Sequence, residues 1–424
     1  MNCPVCDESS FSRVLAVRGR VAMRCQGCGC VALDALPGKT GCPAAARAAE
    51  RLAPMYIAAL KRRGFRGGPL LASAEDLSPT PGAPAAYDAA MLLDQLHTLP
   101  DPGELLRAIH AALRLGAPLL LTTPFPRRRT RTRPEDRWCF DETTIQLLLL
   151  RHGFHEVLVR KTDGAGMLVT ALRDQPRPRP KCSIVVAVFN ERPTFPLLMD
   201  ALLKKEIPGV DREIIVIESN STDGTRELAE QYRAHPEIKL VLQDRPRGKG
   251  NAVREGFRHA TGDIVLIQDA DLEYDLDDYD ALLAPILSHR ALFVLGTRHS
   301  GNWKMRRFAT QKALATGLNL GHAFFAGLIN VLFRQNMTDP FTMFKVFRRD
   351  CLFGLDLRCN GFDFDHELVI KFVRKGYRPL EIPVNYSSRS FREGKKVRLF
   401  RDPLTWLWID LKLRFARVLP KDAG

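Results

Sequence analysis

Two sets of side chains in this 424-residue sequence have the types and spacing for chemistry. The first is the run from Gln268 to Asp275, in which Asp269, Asp271 and Glu273 alternate with other residues. On an extended backbone these three carboxylates point to one side. They repel one another unless a cation sits among them. Hard oxygen ligands at a strand end suit Mg²⁺ or Mn²⁺, which keeps several waters and bridges to substrate phosphates. The plain alternative is an acidic, solvated loop. The second set is Cys3, Cys6, Cys25 and Cys28, two C-x2-C pairs separated by eighteen residues. That spacing lets two tight knuckles offer four thiolates to one tetrahedral Zn²⁺. Cys30 is an alternative to Cys28, and four unrelated thiols are the alternative to a metal. A closed four-sulfur site is structural, adding folding energy to a segment too short for its own core.

The elements that must position the acids lie on either side of them. Gly262 to Ile267 is an apolar run that reads as a buried strand ending where the acids begin. Two more such strands, 182–189 and 213–218, also end in polar clusters, and 239–242 is a fourth strand. Helices are expected at 195–206, 226–234 and from Arg247 to about Ala260. Alternating strands and helices imply a parallel sheet with its ligand at the carboxyl ends, so these clusters converge on one crevice. Earlier in the chain, a helix is expected at 44–66 with Gly64 as its stop, and a loop at 73–86. A strand near 87–96 is followed by a helix capped at Asp101 and ended by Gly116. A buried strand at 118–124 comes next, then a helix from Phe140 to Gly153. Residues 173–181, with alternating prolines and basic residues, form an extended linker.

Hydrophobic content of 45% and charged content of 26% describe a globular chain of two or three domains. The net charge of +15 favours an anionic partner. Nucleic acid is not expected, because the five arginines within 127–133 have no interleaved aromatics. Cys3 and Cys6 stand where a secretory signal would begin, and the metal-pattern cysteines suit a reducing compartment. A cytoplasmic location is therefore expected, at most peripheral on the inner face of the membrane. The apolar stretch 313–333 reads as a helix with one polar edge (Thr316, Asn319, His322, Asn330) rather than a span.

The second half resembles the family 2 glycosyltransferases with the GT-A nucleotide-sugar fold, in particular the dolichyl-phosphate mannose synthase-like group. The matching residues are 187–191, 218–225, 247–250, 269–273, 296–298, 339–342, 364–367, 376–377 and 381–384, in the family's order. The resemblance implies a metal-dependent, inverting transfer from a nucleotide sugar to a polyprenyl phosphate or surface-glycan acceptor. It implies that Ala187, Phe189 and Glu191 hold the base and ribose, and that Glu218 and Ser219 also face the base. Lys249 and Arg298 join the donor site. Asp269, Ala270 and Asp271 form the D-x-D motif, with Asp271 and Glu273 on Mg²⁺ or Mn²⁺. Arg389 and Lys396 bind phosphates from a basic loop. Asp365 or Glu367 takes a proton if the acceptor is a hydroxyl, and His366 between them is expected to be a helix-side residue.

Residues 85–172 resemble the second half of a class I S-adenosylmethionine methyltransferase, some of which carry a similar zinc-binding front end. The family's glycine-rich loop has no counterpart beyond Gly64 to Gly68, so an inactive, shortened relative is expected. The expected division is a zinc ribbon (1–42), a truncated methyltransferase-like α/β domain (43–172), the linker, a GT-A α/β domain (182–400) and an amphipathic C-terminal helix (401–424). The helix's apolar face comprises Leu404, Leu407, Trp408, Leu411, Phe415 and Val418. It either packs on the catalytic domain or lies in a bilayer surface. The rival functions are a non-catalytic scaffold and a bifunctional methyltransferase–glycosyltransferase.

Overall fold

A computed structural model describes residues 3–6, 9–17, 20–28, 30–33, 56–67, 69–71, 86–124, 137–162, 166–174, 179–299, 312–388 and 401–416. The expectations for residues 44–55, 127–133, Arg389, Lys396 and Val418 lie outside them. The chain divides into two compact units, with the main boundary between Arg177 and Pro178.

The first unit holds two sheets. Strands β1 (Phe11–Val17), β2 (Arg20–Cys25) and β3 (Val31–Leu33) form an antiparallel ribbon, completed by β7 (Trp138–Cys139). The pairing of Val31 with Cys139 and Ala32 with Trp138 makes the cysteine segment part of the larger unit. The second sheet runs β4 (Leu70–Leu71), β5 (Ala89–Leu93), β6 (Pro118–Pro124), β9 (Gly166–Arg173), β8 (Phe154–Lys161). Its helices start where capping side chains stand. Asp101 accepts from Gly103 N at 2.8 Å to open α1 (Pro102–Ala112), and Asp141 accepts from Thr144 N at 2.9 Å to open α2 (Glu142–Arg151). Residues 56–62 are helical, and Gly64 follows in a left-handed conformation. This glycine stretch precedes β4 rather than following a strand.

The second unit is built on a seven-stranded sheet. Its order is β12 (Ile238–Leu242), β11 (Asp211–Glu218), β10 (Lys181–Val188), β13 (Ile264–Asp269), β15 (Lys345–Arg348), β14 (Phe293–Thr297), β16 (Pro379–Pro383). Strands β10 to β13 are mutually parallel, so their carboxyl ends share one edge. Helices α3 (Phe195–Lys204), α4 (Thr225–Gln231), α5 (Lys249–His259) and α6 (Tyr279–Leu287) connect the strands. Ile184 to Val186 and Ile264 to Ile267 are almost fully buried, as expected of strands covered on both faces.

Among the described residues, three further helices belong to this unit: α7 (Lys312–Phe333), α8 (Asp363–Arg374) and α9 (Arg401–Phe415). The C-terminal helix therefore belongs to the second unit. Ile409, Asp410 and Leu413 face inward, whereas Leu404, Trp408 and Phe415 are 71%, 68% and 83% exposed. The face expected from the sequence to be apolar is thus turned away from this unit's core. On α7 the polar edge is also turned inward in part: Asn319 and His322 are buried while Leu320, Phe324 and Val331 are exposed. Within it, Thr316–Phe333 is long and apolar enough to cross a membrane, with mean hydropathy 1.3.

Candidate active site

The second unit encloses a cleft of about 1080 Å³ at the carboxyl ends of its parallel strands. Ala187 and Phe189 reach it from the end of β10, with Glu191 just beyond. Asn190 and Asn220 adopt left-handed conformations that turn the chain sharply after β10 and β11. Asn190 Oδ1 accepts from Thr222 N at 2.8 Å, and Ser221 Oγ accepts from Asn190 N at 2.9 Å, so the two turns brace each other.

Glu218 and Ser219 do not share a role. Ser219 lines the cleft and donates to Gln243 Oε1 at 3.0 Å. Glu218 is fully buried and does not line it. Its carboxylate accepts from Ser221 N at 2.6 Å and Asn220 N at 3.1 Å, and pairs with Arg226 at 3.2 Å. Shaping its own turn uses both oxygens, which corrects the expectation that Glu218 faces a base.

Strand β13 ends at Asp269, and the acids that follow lie on a bend held by Thr194 Oγ1 donating to Ala270 O at 3.0 Å. The bend, rather than strand alternation, brings Asp271 and Glu273 into the same cleft as Asp269. Lys249 Nζ pairs with Asp269 at 2.7 Å. Burial works against the lysine's charge, but the carboxylates of Asp269, Asp365 and Asp271 outweigh it and hold its pKa above the usual value. Lys249 is placed by a close approach. A side chain at Gly248 would meet Asn360 O at 2.3 Å, and one at Gly250 would meet Phe364 Cβ at 2.5 Å. Glu273 accepts from the Tyr386 hydroxyl at 2.8 Å.

The opposite side of the cleft comes from β14, α7, α8 and α9. Arg298 lines it, but its guanidinium is committed to Asp339, with Nε to Oδ2 at 2.7 Å. Asp339 also bonds His322 Nε2 at 2.9 Å. Burial alone would raise the Asp339 carboxyl, but Arg298 and His322 hold it well below the usual range. Asp365 lines the cleft with its Oδ1 2.7 Å from Lys345 Nζ. Burial keeps the Lys345 pKa below the usual lysine value despite that partner.

Glu367 does not line the cleft. It is buried beneath the chain at 358–359, accepting from Cys359 N at 2.7 Å and Arg358 N at 2.8 Å, and it pairs with Lys371 at 2.6 Å. A helix advances by about 100° per residue, so Asp365 and Glu367 cannot both face one cavity. His366, expected on the helix side, instead lines the cleft alongside Phe325, Phe341 and Trp406. Sequence reasoning missed these four. One signal was available for their support: Asp410 is an acid inside the apolar run Trp406 to Leu411.

Which ions could these residues hold? Among the described residues, the one group of three or more side chains gathered closely enough to hold a metal unaided is Cys3, Cys6, Cys25 and Cys28, with all ligand atoms within 4.8 Å of one another. Tetrahedral Zn–S bonds of about 2.3 Å place sulfurs roughly 3.8 Å apart, and two of the Sγ pairs lie at 3.5 Å. The donor set fits. The acids of the cleft are more open. They fit a hard cation that takes one or two carboxylates and completes its shell with water and phosphate oxygens.

Residues 183–353 match the family model described as Glycosyl transferase family 2. A dolichol-phosphate mannosyltransferase of Pyrococcus furiosus is 26% identical over 215 residues, covering 51% of this chain and 59% of that protein. A dolichyl-phosphate beta-glucosyltransferase of Trichomonas vaginalis is 29% identical over 220 residues, covering 48% of this chain and 63% of that protein. The chain thus spans about three fifths of the length of these relatives. Among solved structures, glucosyl-3-phosphoglycerate synthase of Mycobacterium tuberculosis is 22% identical with a TM-score of 0.41, covering 57% of this chain and 83% of that one. The chain carries a glycosyltransferase family 2 domain.

Proposed function

We propose, from a family 2 glycosyltransferase domain at residues 183–353, that the second unit moves a sugar from a nucleoside diphosphate to an acceptor, with inversion at the anomeric carbon. The observation that carries this reading is the convergence of Asp269, Asp271, Glu273 and Lys249 on one cleft at the ends of parallel strands, opposite an aromatic wall. Ala187, Phe189, Glu191 and Ser219 hold the nucleoside end. Lys249 faces the diphosphate and stabilises the charge that develops as the sugar leaves. Asp271 and Glu273 would hold Mg²⁺ or Mn²⁺, which when bound neutralises the diphosphate. Arg389 and Lys396 are assigned by family resemblance to phosphate contact. Asp365 is the carboxylate on the acceptor side, and Glu367 is removed from that role by its position.

The acceptor is a polyprenyl phosphate or a glycan. Both curated relatives are named for dolichol-linked transfer. The outward apolar faces of α7 and α9 support a peripheral contact with an anionic bilayer, with the chain's positive charge adding attraction. The cysteine set binds one structural Zn²⁺ per chain, which elemental analysis of protein purified without chelator would measure. The first unit is a shortened methyltransferase relative without S-adenosylmethionine affinity, and calorimetry with that cofactor decides it.

The transferase reading is tested by thermal shift against a panel of nucleotide sugars with Mn²⁺, followed by donor hydrolysis. One nucleotide sugar should raise the melting temperature in a Mn²⁺-dependent way. A panel without any stabilising member, and no hydrolysis, would sink it.

A further inference from the structure

We infer that His366 accepts the proton released by the acceptor, and that Asp410 of the C-terminal helix holds the imidazole in place to do so. This rests on the transferase reading and deepens it. Three consecutive residues of α8 diverge: Asp365 goes to Lys345, Glu367 to the chain at 358–359, and His366 to the cleft. There its Nδ1 lies 2.8 Å from Asp410 Oδ1. The ring stacks on Phe341 at 4.3 Å and 25° and on Trp406 at 5.5 Å and 17°, and Phe325 closes on it edge-on at 5.9 Å. Packed against three aromatic rings and tethered at one nitrogen, the imidazole is held in a defined orientation.

Asp410 is fully buried, and its Oδ2 has no hydrogen-bond partner among the described residues. A buried carboxylate with an unsatisfied oxygen costs stability. A hydrophobic residue would pack that helix position better, so the acid points to a task. An ionised carboxylate accepting from Nδ1–H fixes the imidazole tautomer and leaves Nε2 with its lone pair. Nε2 has no hydrogen-bond partner among the described residues, and the ring lines the cleft. Asp365, the other group on this side, is already engaged by Lys345, whose Nζ lies 2.7 Å from its Oδ1.

The step balances without a further reactant. The acceptor oxygen forms its bond to the anomeric carbon and its proton passes to His366 Nε2. The bond from the anomeric carbon to the phosphate oxygen breaks, and the electron pair leaves with the nucleoside diphosphate. The acceptor class is one that brings an O–H: a hydroxyl or a protonated phosphate monoester. His366 touches the acceptor and is a catalytic residue; Asp410 acts through it and is a positioning residue.

The experiment uses the full chain with Mn²⁺ and UDP-glucose or GDP-mannose, whichever the wild type hydrolyses faster. Water and farnesyl phosphate serve as the two acceptors. His366→Gln should lower kcat with water about 100-fold while leaving the donor Kd unchanged. Asp410→Asn should lower kcat by a smaller factor without raising KM. An equal loss with farnesyl phosphate identifies a protonated monoester; a loss confined to water identifies a hydroxyl acceptor. ¹⁵N spectra of the histidines, with His366 assigned by its loss in His366→Gln, should show the proton on Nδ1, and Asp410→Asn should disturb that signal. Wild-type turnover by His366→Gln with both acceptors, or a proton on Nε2 in the wild type, would overturn the proposal. Failure of the wild type to bind either donor would instead count against the transferase reading, and the spectra would still decide the state of His366.

Discussion

The two sides of the cleft are held together differently. On the side of the strand ends, each turn is shaped by short-range bonds, and longer-range ones such as Thr222 N to Asn190 Oδ1 join the turns to one another. Glu218 bonds the backbone two and three residues on, and Asp223 bonds Thr225. On the opposite side the pairs span long stretches of chain: Arg298 with Asp339, 41 residues apart, and His366 with Asp410, 44 apart. Local turn chemistry leaves a compact signature in the sequence, whereas distant ion pairs leave single charged residues among apolar neighbours. The first side can therefore be perturbed in its chemistry without unfolding. The second couples folding to the position of the site.

The largest expected effect tests that coupling. Asp339→Ala leaves the Arg298 guanidinium buried without its partner and should cost about 3–5 kcal/mol of stability, measured by chemical denaturation. A melt superimposable on the wild type would remove the distinction between the two sides. Next, Asp271→Ala should lower donor turnover by about 10²–10³-fold with an unchanged melting temperature. Wild-type turnover would refute the metal assignment; a large loss of stability would show that this side too is held by its charges.

A smaller effect is expected at the base of the first side. Glu213 ties β10 and β11 to the turn before β13, pairing with Lys181 at 2.6 Å and accepting from Thr261 N at 2.7 Å. Burial would raise its carboxyl, but the bonds from Lys181, Ser183 and Thr261 prevail and bring it down to about 2. A depressed carboxyl adds stability above its unfolded pKa of about 4.3, and that contribution disappears as pH falls towards the folded value. Glu213→Gln should thus cost up to about 2 kcal/mol at neutral pH, discounted for solvent screening, and the difference from wild type should shrink between pH 4.5 and pH 2. A gap that stays constant with pH would assign the loss to packing. The smallest effect concerns the outer surface of the second side. Trp408→Ser should weaken pelleting with anionic vesicles by about 1 kcal/mol, a severalfold drop, and leave donor hydrolysis unchanged. High salt should release the wild type. Equal recovery of wild type and variant in the supernatant with anionic and neutral vesicles would count against the membrane contact.

Much of the frame was legible before any coordinates. Apolar runs ending in polar clusters marked β10, β11 and β13, because buried parallel strands must be continuously apolar while their ends meet solvent and ligand. The spacing of Cys3, Cys6, Cys25 and Cys28 likewise foretold a group that the folded chain gathers, since tight knuckles fix sulfur positions locally. Side-chain direction was harder to read. Glu218 and Glu367 stand in the right motifs but turn inward to satisfy backbone N–H groups, a demand set by the loops that fold over them. The apolar stripe on α9 was visible as a pattern, yet the pattern was compatible with either orientation.

The sequence by itself indicated that acids and a lysine lie at the ends of parallel strands, because apolar runs and turn chemistry act over a few residues. Only the tertiary structure decided which residues of α8 reach the cleft, that the C-terminal helix is one of its walls, and that Asp410 meets His366. Those outcomes depend on how three helices pack against one sheet. Packing is settled by contacts between residues tens of positions apart, to which no local pattern is tied.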